Sequence, residues 1–277
     1  MSLLFIHTGG VGDFIVAAPQ FHRYANTRVW DIAGIPERGA LAVAAGWARK
    51  ALSIDAIEFW TVYSEPSPRL KEHLAAYDEV IVWLGEDSAA EARCVDARLA
   101  HVRFMSALPP QGWGRHAADF YAQQLGIPTV PPDLPITPGP PRRDVFIHPG
   151  SGSPGKNWPL ENFLQLAQTL EAPGQQVRWL RGPAEEDITL PGAADIVPPA
   201  TLPDLGARLA GGALYVGNDS GITHLAAAVG CPVVALFKDT SPALWGPRGR
   251  RVTILHDPEG PSLDAALREA EHILTLR

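Results

Sequence analysis

Residues 3–13 read Leu3-Leu4-Phe5-Ile6-His7-Thr8-Gly9-Gly10-Val11-Gly12-Asp13. An apolar run passes directly into a glycine-rich turn, and residues 13–24 then have helical character. A continuous apolar run, rather than a strict alternation, marks a strand covered on both faces, as in a parallel sheet flanked by helices. Glycines immediately after such a strand permit a tight turn and let a ligand approach backbone N–H groups.

The same alternation continues outward from this stretch. Residues 29–33, 54–59, 80–84 and 101–105 read as strands, and 38–48, 68–77 and 113–125 as helices. Seven prolines then fall between Pro128 and Pro141. Proline removes a backbone donor and fixes φ, so this window reads as a stiff, extended linker. The pattern restarts with strands at 144–148, 176–181, 194–197, 214–216, 233–237 and 252–255. Helices are expected at 159–170, 202–209, 221–229 and 263–274. The expected organisation is therefore α/β, with two Rossmann-like domains at 1–127 and 144–277 joined by a Pro-rich linker at 128–143. The final helix is free, on this reading, to pack back on the first domain.

Composition sets limits on function. The chain has 277 residues, 46% apolar and 19% charged, and a formal net charge of −7. Bulk attraction to nucleic acid is not expected at that charge. Cys94 and Cys231 stand far apart with no nearby ligand partner, so a structural zinc site is not expected. No stretch approaches the ~20 apolar residues of a membrane span. A reduced, soluble, cytoplasmic protein is the expectation.

Three strand-to-helix turns carry the chemistry. In the first, Gly10 and Gly12 fit a dinucleotide-binding fingerprint, but Ile15 stands where its third glycine belongs. Asp13, at the start of the helix, reads either as an acidic cap or as a general base. The second turn is His148-Pro149-Gly150-Ser151-Gly152-Ser153-Pro154-Gly155-Lys156-Asn157-Trp158-Pro159. Its Gly, Ser and single Lys before a helix suit a phosphate, although Asn157 after Lys156 rules out a Walker A loop. The alternative is a plain surface turn. The third turn is Gly217-Asn218-Asp219-Ser220-Gly221-Ile222-Thr223-His224. Asp219 or Ser220 can cap the helix, or the turn can hold an anion. On these grounds alone His224 reads as a core histidine. Two anion-ready helix starts in one half and a carboxylate in the other suggest a ligand cleft between domains.

Together these motifs resemble the heptosyltransferase family of glycosyltransferases, glycosyltransferase family 9. The resemblance rests on Gly12-Asp13 through Pro19, on His148-Pro149-Gly150 with Lys156-Asn157-Trp158-Pro159, on Gly217 through Ala227, and on Trp245-Gly246-Pro247. They fall in the family's order along nearly the whole chain. The resemblance implies a GT-B type fold, two Rossmann-like domains with parallel sheets facing a cleft, the first for the acceptor and the second for the donor. It implies an inverting enzyme of lipopolysaccharide biosynthesis that transfers heptose from ADP-heptose to a glycan or glycolipid acceptor. Asp13 would be the catalytic base. Lys156, Asp219, Ser220, Gly221, His224, Ser151 and Gly12 would serve the donor, and Glu185 or Glu186 its ribose. No cofactor or metal is implied, since no Asp-x-Asp motif is present. Peripheral contact with the inner membrane is compatible with such an acceptor.

The sequence departs from the family at Phe237-Lys238-Asp239-Thr240-Ser241-Pro242, where many members read Phe-Gly-Pro-Thr-Asp-Pro. Lys238 adds a charge near the donor site. Two other readings compete: a non-catalytic nucleotide-sugar-binding protein on the same fold, and a nicotinamide-dependent oxidoreductase. The latter would need an acidic residue for the ribose in the first half, and Asp31 is the candidate.

Overall fold

The computed structural model describes residues 1–85, 87–140, 144–171, 175–182, 189–191, 196–197 and 201–276. The chain divides into two compact units, Met1–Val130 and Pro131–Arg277.

The first unit contains β1 (Ser2–His7), α1 (Val11–Ala25), β2 (Val29–Gly34), α2 (Pro36–Ala44), β3 (Ala51–Ser53), α3 (Pro68–Ala75), β4 (Glu79–Trp83), α4 (Ser88–Asp96), β5 (Val102–Met105) and α5 (Ala117–Leu125). Its sheet has the order β3-β2-β1-β4-β5, all parallel. Leu3, Leu4, Phe5 and Ile6 are fully buried, as a strand covered on both faces requires. Helix α1 is buried along Phe14-Ile15-Val16-Ala17-Ala18-Pro19, with Phe21 stacked on Phe5 at 4.4 Å. The unit's last residue is held to α1, because Gln20 Nε2 donates to the Val130 carbonyl and the Val130 N–H donates back to Gln20 Oε1.

The second unit contains β6 (Asp144–His148), α6 (Leu160–Glu171), β7 (Gln176–Leu180), β8 (Ile196–Val197), α7 (Leu202–Ala210), β9 (Leu214–Asn218), α8 (Gly221–Ala228), β10 (Val233–Phe237), α9 (Pro242–Trp245), β11 (Val252–His256) and α10 (Leu263–Thr275). Its parallel sheet has the order β11-β10-β9-β6-β7-β8. Trp158, Phe163, Val145, Val216 and Leu236 share its core with Ala266 and Ala270 of α10. The final helix thus packs on α6 and on β9, β10 and β11 of its own unit. Part of the proline-rich segment belongs to this unit as well. The Leu134 N–H donates to the Ala228 carbonyl and the Gly139 N–H to that of Ala207.

Both sheets reverse their strand order at one place, between β1 and β4 in the first unit and between β6 and β9 in the second. In open α/β sheets the crevice beyond the carboxyl ends of strands at such a switch point is where ligands bind. The turns after β1, β6 and β9 are the three singled out in the sequence.

Several elements differ from expectation. The strand expected at 54–59 is instead a short strand, Ala51–Ser53, followed by a turn and a 3-10 helix, Phe59–Tyr63. Its apolar residues Ile57, Phe59 and Val62 are buried, the last two at the three-residue spacing of such a helix. Helix α4 was not anticipated, because it buries only Ala90 and Cys94 and so shows little apolar periodicity. Helix α5 starts at Ala117 rather than 113, where His116 Nδ1 accepts the Ala118 N–H at 3.1 Å.

Candidate functional site

In the first unit, β1 delivers the chain into a turn that Arg38 braces from α2. Arg38 Nη1 donates to the Thr8 carbonyl at 2.8 Å and to that of Gly9. Asp13, in the first turn of α1, folds back so that Oδ2 accepts the Gly10 N–H at 2.8 Å. Among the described residues Oδ1 makes no hydrogen bond. The carboxylate therefore caps its helix and still presents one oxygen. Beneath the turn lies His7, buried against Phe14 and Phe21 with Nδ1 unpartnered. Burial lowers its pKa to about 4, against the opposing pull of Asp13 and with a smaller push from Arg38. The imidazole is neutral near pH 7. A Cβ on Gly9 would stand 2.8 Å from His7 Cε1 and 3.0 Å from Asp13 Cβ, so this glycine is what lets the histidine and the carboxylate close around the turn.

Asp31 does not end its strand. Strand β2 runs on to Gly34, and Asp31 pairs with Leu4 in mid-sheet. It is fully buried, held by Arg49 Nε at 3.0 Å, Arg49 Nη2 at 2.6 Å and the Tyr77 hydroxyl at 2.7 Å. A carboxylate so engaged, away from the carboxyl end of the sheet, is not placed for a ribose. The oxidoreductase reading loses its acidic residue.

In the second unit the register sets His148 opposite Gly217, so the turns after β6 and β9 lie side by side. Asn218 joins them. Its Oδ1 accepts the Trp158 N–H at 2.9 Å and its Nδ2 donates to the Pro149 carbonyl at 2.7 Å. Trp158 Nε1 in turn donates to the Pro261 carbonyl at 2.7 Å. Sequence reading passed over Asn218. The only signal was its place between Gly217 and Asp219.

Ser220, rather than Asp219, caps α8, its Oγ accepting the Thr223 N–H at 3.3 Å. Under the cap lies a buried polar network. The Thr223 hydroxyl meets Ser220 Oγ and the Tyr215 hydroxyl at 3.0 Å each, and His148 Nδ1 lies 3.3 Å from the Tyr215 hydroxyl. The helix start leaves the Gly221 and Ile222 N–H groups without intrahelical partners. His224 is buried one turn along α8. Asp219 instead holds side chains from two other loops. Its Oδ2 accepts from Lys156 Nζ at 2.8 Å and from Thr240 Oγ1 at 2.6 Å. Ser151 is buried within the turn after β6, its hydroxyl meeting the Ser153 carbonyl and Asn157 Oδ1 at 2.7 Å each.

The structure thus gathers Lys156, Asp219, Ser220 and Gly221 at one edge of the second sheet, with Ser151 and His224 close in chain. Gly12 and Asp13 belong to the first unit. Glu185 and Glu186 lie outside the described residues. Among the described residues no group of three or more His, Cys, Asp or Glu is gathered that could hold a metal ion. No helix there is long and apolar enough to cross a membrane.

Residues 115–271, more than half of the chain, match the family described as glycosyltransferase family 9 (heptosyltransferase). The chain belongs to glycosyltransferase family 9. Lipopolysaccharide heptosyltransferase 1 of Pseudomonas aeruginosa is 32% identical over 170 residues, which span 53% of this chain and 47% of that protein. Lipopolysaccharide heptosyltransferase 3 of Escherichia coli is 30% identical over 113 residues, 37% and 33% of the two chains. The chain therefore spans about half the length, or less, of these relatives. The solved structure of E. coli ADP-heptose lipopolysaccharide heptosyltransferase II superposes with a TM-score of 0.79 at 17% identity, covering 100% of this chain and 99% of that one. E. coli heptosyltransferase WaaC, solved with ADP, gives 0.74 at 18% identity, covering 99% and 100%. At these identities the likeness shows the fold, two Rossmann-like units of the GT-B type. The family match begins at residue 115, so the turn that carries Asp13 lies outside it.

Proposed function

We propose that this family 9 protein is an inverting glycosyltransferase that takes its sugar from a nucleoside-diphosphate donor, ADP-heptose first among candidates, and needs no metal. The observation that carries this reading is the cluster of Lys156, Ser220, Gly221 and the open end of α8 at the switch point of the second sheet. Unpaired N–H groups and the partial positive charge of a helix start favour an anion there. The Lys156 ammonium adds a full charge. These groups would bind the donor diphosphate and stabilise the charge that builds on it as the bond to the sugar breaks. The neutralising role of a metal ion would fall to them.

Asp13 is the base of the proposed reaction. Its Oδ2 is fixed by Gly10, and Oδ1 would accept the proton of the acceptor hydroxyl as that oxygen bonds to the anomeric carbon. A hydroxyl grows acidic as this bond forms, so a carboxylate can take the proton late. A single displacement of this kind inverts the anomeric centre. Transfer requires Asp13 and the anion-binding turns to act on one donor–acceptor pair. The acceptor is a glycan or glycolipid. The names of the relatives point to lipopolysaccharide, and such an acceptor to peripheral contact at the inner membrane.

The test is a transfer assay with ADP-heptose and candidate acceptors in the presence of a chelator, with the anomeric configuration of the product read by NMR. Inverted product with chelator present supports the reading. Retained configuration, or activity only with added metal, contradicts it.

A further inference from the structure

Tyr215 and Gly217 stand two apart on β9 and so face the same side of the sheet. The tyrosine ring runs along the strand past the glycine. A Cβ on Gly217 would stand 2.5 Å from the Tyr215 hydroxyl and 2.9 Å from Cζ. The glycine therefore makes room for a tyrosine hydroxyl to reach the start of α8. There the hydroxyl meets Thr223 Oγ1 at 3.0 Å and lies 3.3 Å from His148 Nδ1.

The hydrogens of this network can be assigned. Thr223 has one hydroxyl hydrogen, and the Asn218 carbonyl, which can only accept, takes it. Thr223 Oγ1 must then accept in its two other contacts, from Tyr215 and from Ser220 Oγ at 3.0 Å each. Ser220 Oγ accepts the Thr223 N–H at 3.3 Å. Its own hydrogen turns inward to Thr223, or to His148 Nδ1 at 3.4 Å, unless a ligand draws it outward. Tyr215 is 0% and Thr223 1% exposed, whereas Ser220 is 8% exposed. Of the three hydroxyls, that of Ser220 is the outlet.

We propose that Tyr215 is a positioning residue of the donor site, whose hydroxyl supplies Thr223 Oγ1 with a hydrogen and so releases that of Ser220 to the donor's phosphate. The inference rests on the transferase reading above. A buried acceptor left without a donor costs free energy. With Tyr215 in place, Ser220 turns outward and Thr223 Oγ1 still accepts from the tyrosine. Without that hydroxyl, Ser220 is the remaining donor to Thr223 Oγ1 among the described residues, and turning outward would leave a buried oxygen unsatisfied. His148 Nδ1 either donates to the Tyr215 or Ser220 oxygen or adds to the demand for hydrogens, according to its tautomer. In neither case does it supply Thr223.

The experiment is calorimetric titration of the full chain with ADP for wild type, Tyr215→Phe, Ser220→Ala and the two combined, with thermal melts alongside. Tyr215→Phe keeps the ring that fills the core and should weaken ADP binding about 10- to 100-fold, the scale of one hydrogen bond to a charged group. Ser220→Ala should weaken it as much, and the double variant no further, because the tyrosine acts through the serine. Adding Thr223→Val to Tyr215→Phe removes the acceptor that holds the Ser220 hydrogen inward. It should restore most of the affinity, whereas simple damage to the turn would accumulate. Wild-type ADP affinity in either single variant overturns the proposal. So do losses that multiply when Tyr215→Phe and Ser220→Ala are combined, or a failure of Thr223→Val to improve on Tyr215→Phe. If the wild type, shown to be folded, binds no ADP, the transferase reading falls and this inference with it.

Discussion

Lys156 Nζ lies 2.8 Å from Asp219 Oδ2, so the cation offered to a diphosphate is already held by a carboxylate from the neighbouring turn. Thr240 shares the same oxygen at 2.6 Å. The pair fixes the lysine at the end of α8 and balances its charge until an anion competes for it.

Removing the cation tests this arrangement. Lys156→Ala should weaken ADP binding by about 10- to 100-fold, the scale of one charge-assisted hydrogen bond, while adenosine affinity hardly moves. Asp219→Asn releases the lysine and should tighten ADP severalfold. Calorimetric titration reads both. ADP affinity unmoved by Lys156→Ala would take the lysine out of the site.

Asp13→Asn keeps an oxygen for the Gly10 N–H and so should leave the turn folded. Transfer should fall by about 10²–10⁴-fold, the usual worth of a positioned base, with donor affinity unchanged. If ADP binding and thermal stability fell along with transfer, Asp13 would be a helix cap and nothing more.

Asn218 is fully buried and satisfies the Trp158 N–H and the Pro149 carbonyl at once. Asn218→Ala leaves both backbone groups without these partners and should cost about 2–4 kcal/mol of stability, read in a denaturant titration. ADP affinity should drop too, because the turn carrying Lys156 is no longer stapled to the turn carrying Ser220. A variant as stable as wild type would show the bonds to be dispensable.

His7 gives the fold an acid limit. Its folded pKa, about 4, lies below the unfolded value of 6.5, so the unfolded chain binds a proton first. The stability held above pH 6.5 is lost progressively as pH falls toward 4. The full difference is worth about 3 kcal/mol. Melting temperature against pH should show this slope in the wild type and lose it in His7→Asn. Parallel curves for the two proteins would mean that His7 does not set the limit.

Much of this was legible along the chain, and what was not follows one rule. The strands of 3–7, 144–148 and 233–237 announce themselves because both their faces are buried, which leaves a continuous apolar run. Residues 54–59 misled because Ile57 and Phe59 are apolar for the sake of a turn and a 3-10 helix, and a short run does not distinguish the two periods. Helix α4 hid because Ala90 and Cys94 are its only buried residues. Lys156 and Asp219 could each be picked out by residue type, but not their bond to one another across 63 positions, nor the staple made by Asn218. Such contacts come from the register that sets β6 beside β9, and strand order is not written in any local pattern. Asp31 shows the converse: it suited a ribose by its position in chain, and the fold gives it to Arg49 and Tyr77.

Titration of the protein with ADP, UDP and GDP in the presence of a chelator tests the central claim most directly. The account predicts saturable, selective binding of ADP, weakened about 10- to 100-fold by Lys156→Ala. Binding of none of the three, by protein shown to be folded, would contradict it.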